Sequence, residues 1–90
     1  MKYRSRTEIV AMILDAVRIG ATKTRIMYKA YLSYTQVKEY LTFLLDNELI
    51  VYEKGTQLYK IGEKGYKFLE SYSEISDLVA PKNNGKLLNL

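Results

Sequence analysis

Residues 22–46 read TKTRIMYKAYLSYTQVKEYLTFLLD, and this stretch decides the fold. Two helical patterns lie within it, and each follows a residue that favours the N-cap position, Thr22 and Ser33. The tetrapeptide SYTQ that begins at Ser33 has the form of a capping box. The spacing of apolar residues predicts one helix over 23–31 and a second from Ser33 to about Asn47. Because the break between them is only about three residues, the two helices must cross steeply, as in a helix-turn-helix.

The residues before this stretch predict one more helix. SRTE, which begins at Ser5, is another capping-box sequence, and apolar residues recur behind it at helical spacing. We expect this helix to run from about Arg6 to Ile19. It should stop at Gly20, because glycine is favoured just past a helix C-terminus.

The residues after the stretch predict a β-hairpin. Residues 49–53 and 58–61 are rich in β-branched and aromatic side chains. The turn between them contains Gly55, which is able to adopt a positive φ. Tyr40 and Tyr52 are expected to pack in the core with their hydroxyl groups at its rim.

A last helix completes the predicted domain. It is expected over residues 63–80, since Pro81 cannot continue a helix, and residues 81–90 are interpreted as a flexible tail. Residues 1–80 then form one domain, because a chain of 90 residues has room for a single core. The element order is that of a winged helix-turn-helix with a C-terminal dimerisation helix. The predicted fold class is mainly α with a small β-hairpin (α+β).

The composition excludes many kinds of catalytic and metal site. The chain contains no cysteine and no histidine, which removes disulfides, thiolate metal sites, the cysteine nucleophile and the commonest general base. Carboxylate pairs such as Glu63 and Glu70 lie on a helix face without a pocket. We therefore expect no enzymatic activity, no metal and no cofactor. No apolar run reaches the roughly 18 residues of a membrane span, and MKYRSRTE does not resemble a signal peptide, so a cytoplasmic location is expected.

The charge is distributed unevenly along the chain. Residues 1–38 carry eight bases and two acids, whereas residues 39–80 carry four bases and eight acids. A basic half joined to an acidic half suggests one face for a polyanion and another for a different partner. An ordinary solvated surface would also account for the net charge of +4.

Four segments carry a resemblance to a known family: ATKTRIMYKA, LSYTQVKEYL, NELI and the EKG that starts the last helix. In these segments the chain resembles the small archaeal winged-helix DNA-binding proteins, which include the ten-kilodalton Sulfolobus chromatin-associated dimers and the ArnR-type regulators. The resemblance implies that a homodimer binds double-stranded DNA, with the third helix in the major groove and the hairpin near the minor groove. In the chromatin-type relatives the last helix is long and pairs as an antiparallel coiled coil. Here Pro81 ends it after about seventeen residues, which predicts a shorter contact.

Nine side chains are the candidates for DNA binding. Glutamine pairs with adenine, threonine meets a thymine methyl group, and lysine and arginine bind guanine or phosphate. Four candidates face outward on the third helix, three are cations of the second helix, and the others are a tyrosine at the joint and a lysine at the hairpin tip. The set is Thr35, Gln36, Lys38 and Thr42, then Lys23, Arg25 and Lys29, then Tyr34 and Lys54.

Each of these assignments has a simpler alternative. A polar helix face is often only solvated, Tyr34 could be packed, and Lys54 could serve the turn alone. Glu39 opposes DNA contact because it dilutes the positive field of the third helix. Lys2, Arg4 and Arg6 could form a basic arm or a disordered end. The DNA-binding hypothesis requires Lys23, Arg25, Lys29 and Lys38 to project from one side.

The last helix carries an apolar stripe that predicts a homodimer. Phe68, Tyr72, Ile75 and Val79 recur at spacings of 4, 3 and 4, and Leu69 widens the stripe. A domain this small covers only the first half of such a helix, so the second half would be exposed in a monomer.

The leading functional hypothesis is a homodimeric protein that binds double-stranded DNA, as a transcriptional regulator or a minor nucleoid-associated protein. The alternative is a winged-helix protein-interaction module whose working surface is acidic. Its acids are Glu39, Asp46, Glu48, Glu53, Glu70, Glu74 and Asp77.

Overall fold

The computed structural model describes residues 4–79 of the chain. The predicted tail, Pro81 and Lys2 lie outside these residues. The described chain has four helices and one hairpin in the predicted order, which confirms the α+β fold class. The elements are α1 (Arg6–Ala16), α2 (Lys23–Ala30), α3 (Tyr34–Asp46), β1 (Ile50–Glu53), β2 (Leu58–Ile61) and α4 (Glu63–Val79).

The predicted N-caps are confirmed at all three helices that begin with one. Ser5 and Ser33 form complete capping boxes with Glu8 and Gln36, and the hydroxyl of Thr22 accepts from the backbone N–H of Arg25. Each hydroxyl satisfies one of the backbone donors that the first turn of a helix leaves without an internal partner.

The predicted C-terminus of α1 was wrong by three residues. α1 ends at Ala16 instead of Ile19, and the chain then turns tightly, with the N–H of Gly20 donating to the carbonyl of Val17 at 3.1 Å. Gly20 has a φ of 93°, and the turn leaves Ile19 almost fully exposed. Gly20 therefore adopts a positive φ within the turn that follows α1, and not directly after the last helical residue.

The hairpin forms where it was predicted, but its turn differs from the prediction. Gln57, not Gly55, adopts the positive φ, at 60°, and its N–H donates to the carbonyl of Glu53 at 2.7 Å. Tyr52 is exposed and stacks at an angle on Tyr59, with ring centres 4.8 Å apart, so its predicted place in the core was also wrong. The side chain of Tyr40 is half-buried at the edge of the core.

A single core joins all the elements. Side chains from α1 and α3 dominate it, and the fully enclosed ones are Ile13, Leu14, Val17, Ile26, Val37, Leu44 and Ile50.

The hairpin is attached to this core through the backbone. Ala21 and Tyr59 exchange two hydrogen bonds of 2.9 and 2.8 Å, and the N–H of Ile61 donates to the carbonyl of Val17 at 3.1 Å. These bonds fix the hairpin beside the segment that leads into α2.

The start of α4 packs closely against the end of the α3–β1 connection. Gly65 is buried there, and a Cβ at this position would overlap the carbonyl oxygen of Leu49 and lie 2.7 Å from Cγ1 of Ile61. The absence of a side chain at residue 65 therefore allows α4 to approach the core.

Candidate nucleic-acid interface

α3 presents a continuous polar face to solvent. Its inward side is held by Val37, Leu41 and Leu44, which are buried, so the opposite side must be exposed. The predicted candidates Thr35, Gln36, Lys38 and Thr42 are all exposed on the outer part of the helix, together with Glu39 and Asp46.

Two of these candidates make hydrogen bonds within α3. The Oε1 atom of Gln36 accepts from the N–H of Ser33 at 2.9 Å, and the hydroxyl of Thr42 donates to the carbonyl of Lys38 at 3.0 Å. A bidentate contact with adenine needs the amide oxygen of glutamine as well as its NH₂ group. Gln36 would therefore have to leave the capping box to make that contact, whereas its NH₂ group alone could donate without this cost.

Lys23, Tyr34 and Lys38 form a cluster at the start of α3, which we call the lysine–tyrosine cluster. The Nζ atoms of Lys23 and Lys38 lie 5.2 and 5.5 Å from the centre of the Tyr34 ring. Both distances are within the range of a cation–π interaction. The cluster brings together three predicted DNA-binding residues from two helices. Two ammonium groups at one ring create a local site for an anion.

The cluster continues into a cleft between α3 and the hairpin. Lys23 and Lys38 line this cleft with Thr42 and Tyr59. A cleft with cations at its rim and a threonine in its wall has the chemistry of a phosphate contact beside a base-contact face.

The hairpin tip carries one further predicted DNA-binding cation. Lys54 is exposed in the turn. The neighbouring Glu53 carboxylate accepts from the hydroxyl of Thr56 at 2.6 Å and from the Nζ of Lys60 at 3.3 Å. The Thr56 hydrogen bond, followed by the Lys60 contact, lowers the pKa of Glu53 below its usual value. Glu53 therefore braces the tip as a carboxylate.

Arg25 and Lys29 lie in a different place from the cluster. Successive helical residues are about 100° apart, so Arg25 and Lys29 lie roughly 160° and 120° around α2 from Lys23. They line an open groove together with Tyr28 and Tyr31, and Lys29 also borders α1 near Asp15. The structure thus brings Lys23 and Lys38 together and does not bring Arg25 and Lys29 into the same cluster. The four cations therefore do not all project from one side, as the sequence-based hypothesis required, and the case for DNA binding is left to Lys23 and Lys38.

The two arginines at the described N-terminus are engaged with the domain. Arg4 donates to the carbonyls of Ala30 and Tyr31, the latter at 2.9 Å, and so caps the C-terminal end of α2. The Arg6 guanidinium carbon lies 5.0 and 5.5 Å from the ring centres of Phe43 and Tyr40. These contacts differ from a basic arm that extends away from the domain. The sequence analysis missed these contacts, because all four partner residues lie more than twenty positions away from the arginines in the chain.

The apolar stripe of α4 is divided between core and surface. Leu69 is buried against the domain, and Phe68 and Tyr72 are half-buried with parallel rings. Ile75 and Val79 are 60% and 77% exposed. Leu69 therefore has little surface left for a partner, and the exposed part of the stripe lies in the second half of the helix.

Two kinds of feature are absent from the described residues, metal-ligand groups and membrane-spanning helices. Within residues 4–79 no group of three or more histidine, cysteine, aspartate or glutamate side chains is placed to hold a metal ion. Over the same residues, every helix is too short or too polar to cross a bilayer.

Comparison with known proteins places the chain in a family. A family model described as winged helix-turn-helix matches residues 3–80. A protein of Methanocaldococcus jannaschii named Uncharacterized protein MJ0290 is 37% identical over 79 residues, which covers 87% of this chain and 36% of that protein. A second protein of the same archaeon, Uncharacterized protein MJ0287, is 32% identical over 80 residues, which covers 88% of this chain and 80% of its own length. The chain therefore spans about a third of the first relative and most of the second.

Proposed function

The chain belongs to the winged helix-turn-helix family, and on that premise we propose that it binds double-stranded DNA as a homodimer. We assign it the role of a transcriptional regulator or a minor nucleoid-associated protein in the cytoplasm. No catalytic step and no cofactor are part of this proposal.

The lysine–tyrosine cluster is the observation that carries the proposal. It sets two cations at the N-terminal end of α3, the end that enters the major groove in helix-turn-helix proteins. Phosphates held by Lys23 and Lys38 would fix the register of α3 on the duplex, because phosphate contacts position a protein and base contacts specify the sequence. The Tyr34 ring holds both ammonium groups near the start of α3.

Base contacts are then assigned to the exposed face of α3. We propose Thr35 and Thr42 for contacts with thymine methyl groups or phosphates, and the NH₂ group of Gln36 for a single hydrogen bond to a base acceptor. Lys54 at the hairpin tip would contact the backbone. Arg25 and Lys29, which lie on another side of α2, are not assigned to this duplex contact.

We propose that the second half of α4 forms the homodimer. Ile75, Leu78 and Val79 expose a contiguous apolar surface on the described monomer. Pairing of two copies of this surface about a two-fold axis would cover it and present two α3 helices to one duplex. Phe68 and Tyr72 would flank the contact, and Leu69 would support it from the core.

The proposal is tested by sedimentation together with salt-dependent binding to a random-sequence duplex. A dimer that binds at about 100 mM salt, with affinity that falls steeply as salt increases, is the expected result. Ile75→Glu should yield a folded monomer with weaker DNA binding. A wild-type protein that shows no duplex binding above weak charge attraction would refute the proposal.

A protein-interaction module remains the second candidate, because the outer face of α3 also carries acids. Glu39 and Asp46 are exposed there beside the proposed base-contact residues. Other exposed acids of the acidic half are Glu48, Glu53, Glu70, Glu74 and Asp77. Glu39→Gln separates the two candidates. If α3 enters the groove, this variant should bind DNA more tightly, because a charge that repels the phosphates is removed. If the chain is a protein-interaction module, the weak attraction between the protein and DNA should remain almost unchanged.

A further inference from the structure

The outward side of α2 carries two exposed tyrosines beside two cations, and we call this surface the α2 outer face. It consists of Arg25, Tyr28, Lys29 and Tyr31, which line one open groove of about 520 Å³ with Thr22 and Thr24. Tyr28 and Tyr31 are 74% and 77% exposed. Large rings that are exposed to this extent contribute little to the core, so packing does not account for them.

The position of Tyr31 is held at a conformational cost. Its backbone is left-handed, with φ 54° and ψ 51°, at a place where helices usually have glycine. Arg4 secures it by donating to the Tyr31 carbonyl at 2.9 Å, while the guanidinium carbon lies 6.0 Å from the centre of the Tyr31 ring. The side chain is thus fixed to the domain on one side and remains open to solvent on the other.

The charge of the face selects an anionic partner. Two of the three cations of α2, Arg25 and Lys29, lie on this face, and the helix contains no acid. Asp15 lines the adjoining cleft with Lys29, and its carboxylate is already engaged by the guanidinium of Arg18 at 2.8 Å. A polyanion with planar groups would match both the cations and the rings.

Single-stranded nucleic acid has this combination of groups. Bases stack on aromatic side chains with little regard to sequence, while cations follow the phosphates. A duplex offers phosphates but keeps the faces of its bases stacked on one another, so it would leave Tyr28 and Tyr31 unused. An acidic peptide would satisfy Arg25 and Lys29 but has no regular planar groups for the rings.

We propose that the α2 outer face binds single-stranded DNA, with bases stacked on Tyr28 and Tyr31 and phosphates held by Arg25 and Lys29. The choice of DNA rests on the proposed function, since α3 is already proposed to bind DNA. The lysine–tyrosine cluster lies on another side of α2, so the two surfaces can be tested separately.

The experiment compares two variants with a matched control. Tyr28→Ala removes one ring, and Tyr31→Gly removes the other with a residue that favours the observed φ, so it should preserve the fold. Tyr66→Ala is the control, because Tyr66 is also an exposed tyrosine but lies on α4. Circular dichroism verifies that each variant is folded. Fluorescence anisotropy then measures binding to labelled oligothymidine of about 20 nucleotides, to oligouridine of the same length and to a duplex.

We expect wild-type protein to bind oligothymidine and each ring deletion to weaken this binding about fivefold or more. A decrease of about fivefold corresponds to the smallest effect usually seen when one base–aromatic stack is lost. Duplex affinity should change less than about twofold, and Tyr66→Ala should bind like wild type. The inference is overturned if wild-type protein does not bind oligothymidine, if both ring deletions and the control weaken it equally, or if oligouridine binds more tightly. A wild-type protein that binds oligothymidine but does not bind the duplex would instead refute the proposed function. The assignment of single-stranded DNA to the α2 outer face would then still stand.

Discussion

Replacing Lys23 and Lys38 together should remove the central phosphate contacts of the proposed DNA interface. Both ammonium groups lie within 6 Å of the Tyr34 ring centre and both lysines line the cleft beside α3, and we assign one phosphate to each of them. Neither lysine makes an ion pair among the described residues 4–79. The double variant K23A/K38A should therefore remain folded and lose affinity for DNA.

The expected size follows from counterion release. Each cation that neutralises a phosphate contributes about 0.9 to the slope of log K against log salt, so the double variant should have a slope shallower by about 1.8. Over a fourfold increase in salt, wild-type protein should therefore lose about twelvefold more affinity than the variant. The measurement is fluorescence anisotropy on one labelled duplex at several salt concentrations.

A matched control separates a defined interface from net charge. K64A/K67A removes two charges of the same sign from α4, which packs on α1. Its slope should stay close to that of wild-type protein. An equal decrease for both double variants, or an unchanged slope for K23A/K38A, would refute the assignment of the lysine–tyrosine cluster to a phosphate.

Three other predictions follow from local contacts. Gly65→Ala should destabilise the protein by about 1–3 kcal/mol in chemical denaturation, because the added Cβ would overlap the Leu49 carbonyl, whereas Gly55→Ala, whose Cβ meets nothing within 4 Å, should be nearly neutral. A Gly65→Ala variant as stable as wild type would contradict the close approach of α4. Ser33→Ala should cost about 0.5–2 kcal/mol through loss of the α3 cap; equal stability would show that the capping box contributes nothing. The lowered pKa of Glu53 adds stability above the ordinary value of 4.5, and this contribution is lost as pH falls through the folded pKa. Thr56→Ala should raise that pKa in an NMR titration, and an unchanged titration would exclude the Thr56 hydrogen bond as its cause.

The elements could be predicted because their signals are local. Capping boxes at Ser5 and Ser33 depend on residues three positions apart, and both formed as predicted. The errors arose where two local solutions compete. A helix through Ile19 and a tight turn at Gly20 both satisfy the sequence, and the bond from Ile61 N–H to the carbonyl of Val17 favours the turn. Such a bond joins residues more than forty positions apart and leaves no signal near α1.

The residues of the candidate site could be predicted from the sequence, but which of them lie close together could not. The cations of α2 and α3 are evident from sequence, but which of them meet depends on how the two helices cross. Lys23 reaches Tyr34 and Lys38 because it begins α2 on the side that faces α3. Arg25, two residues later, is turned away by about 160°. A sequence pattern in one helix could not distinguish them.

The composition of the α3 face makes the proposed DNA binding depend on the proposed dimer. One domain offers two clustered cations, while Glu39 and Asp46 on the same face reduce the positive field. Two phosphate contacts correspond to a salt slope of about 1.8, which is small for a protein that must hold a duplex at physiological salt. A two-fold dimer through the exposed half of α4 would double that slope to about 3.6 and would allow the two faces to engage one duplex together. Ile75→Glu should therefore reduce the slope by about half as it disrupts the dimer, although residue 75 is not assigned to the DNA interface. A monomeric variant that keeps the full slope would show that a single domain provides all the phosphate contacts.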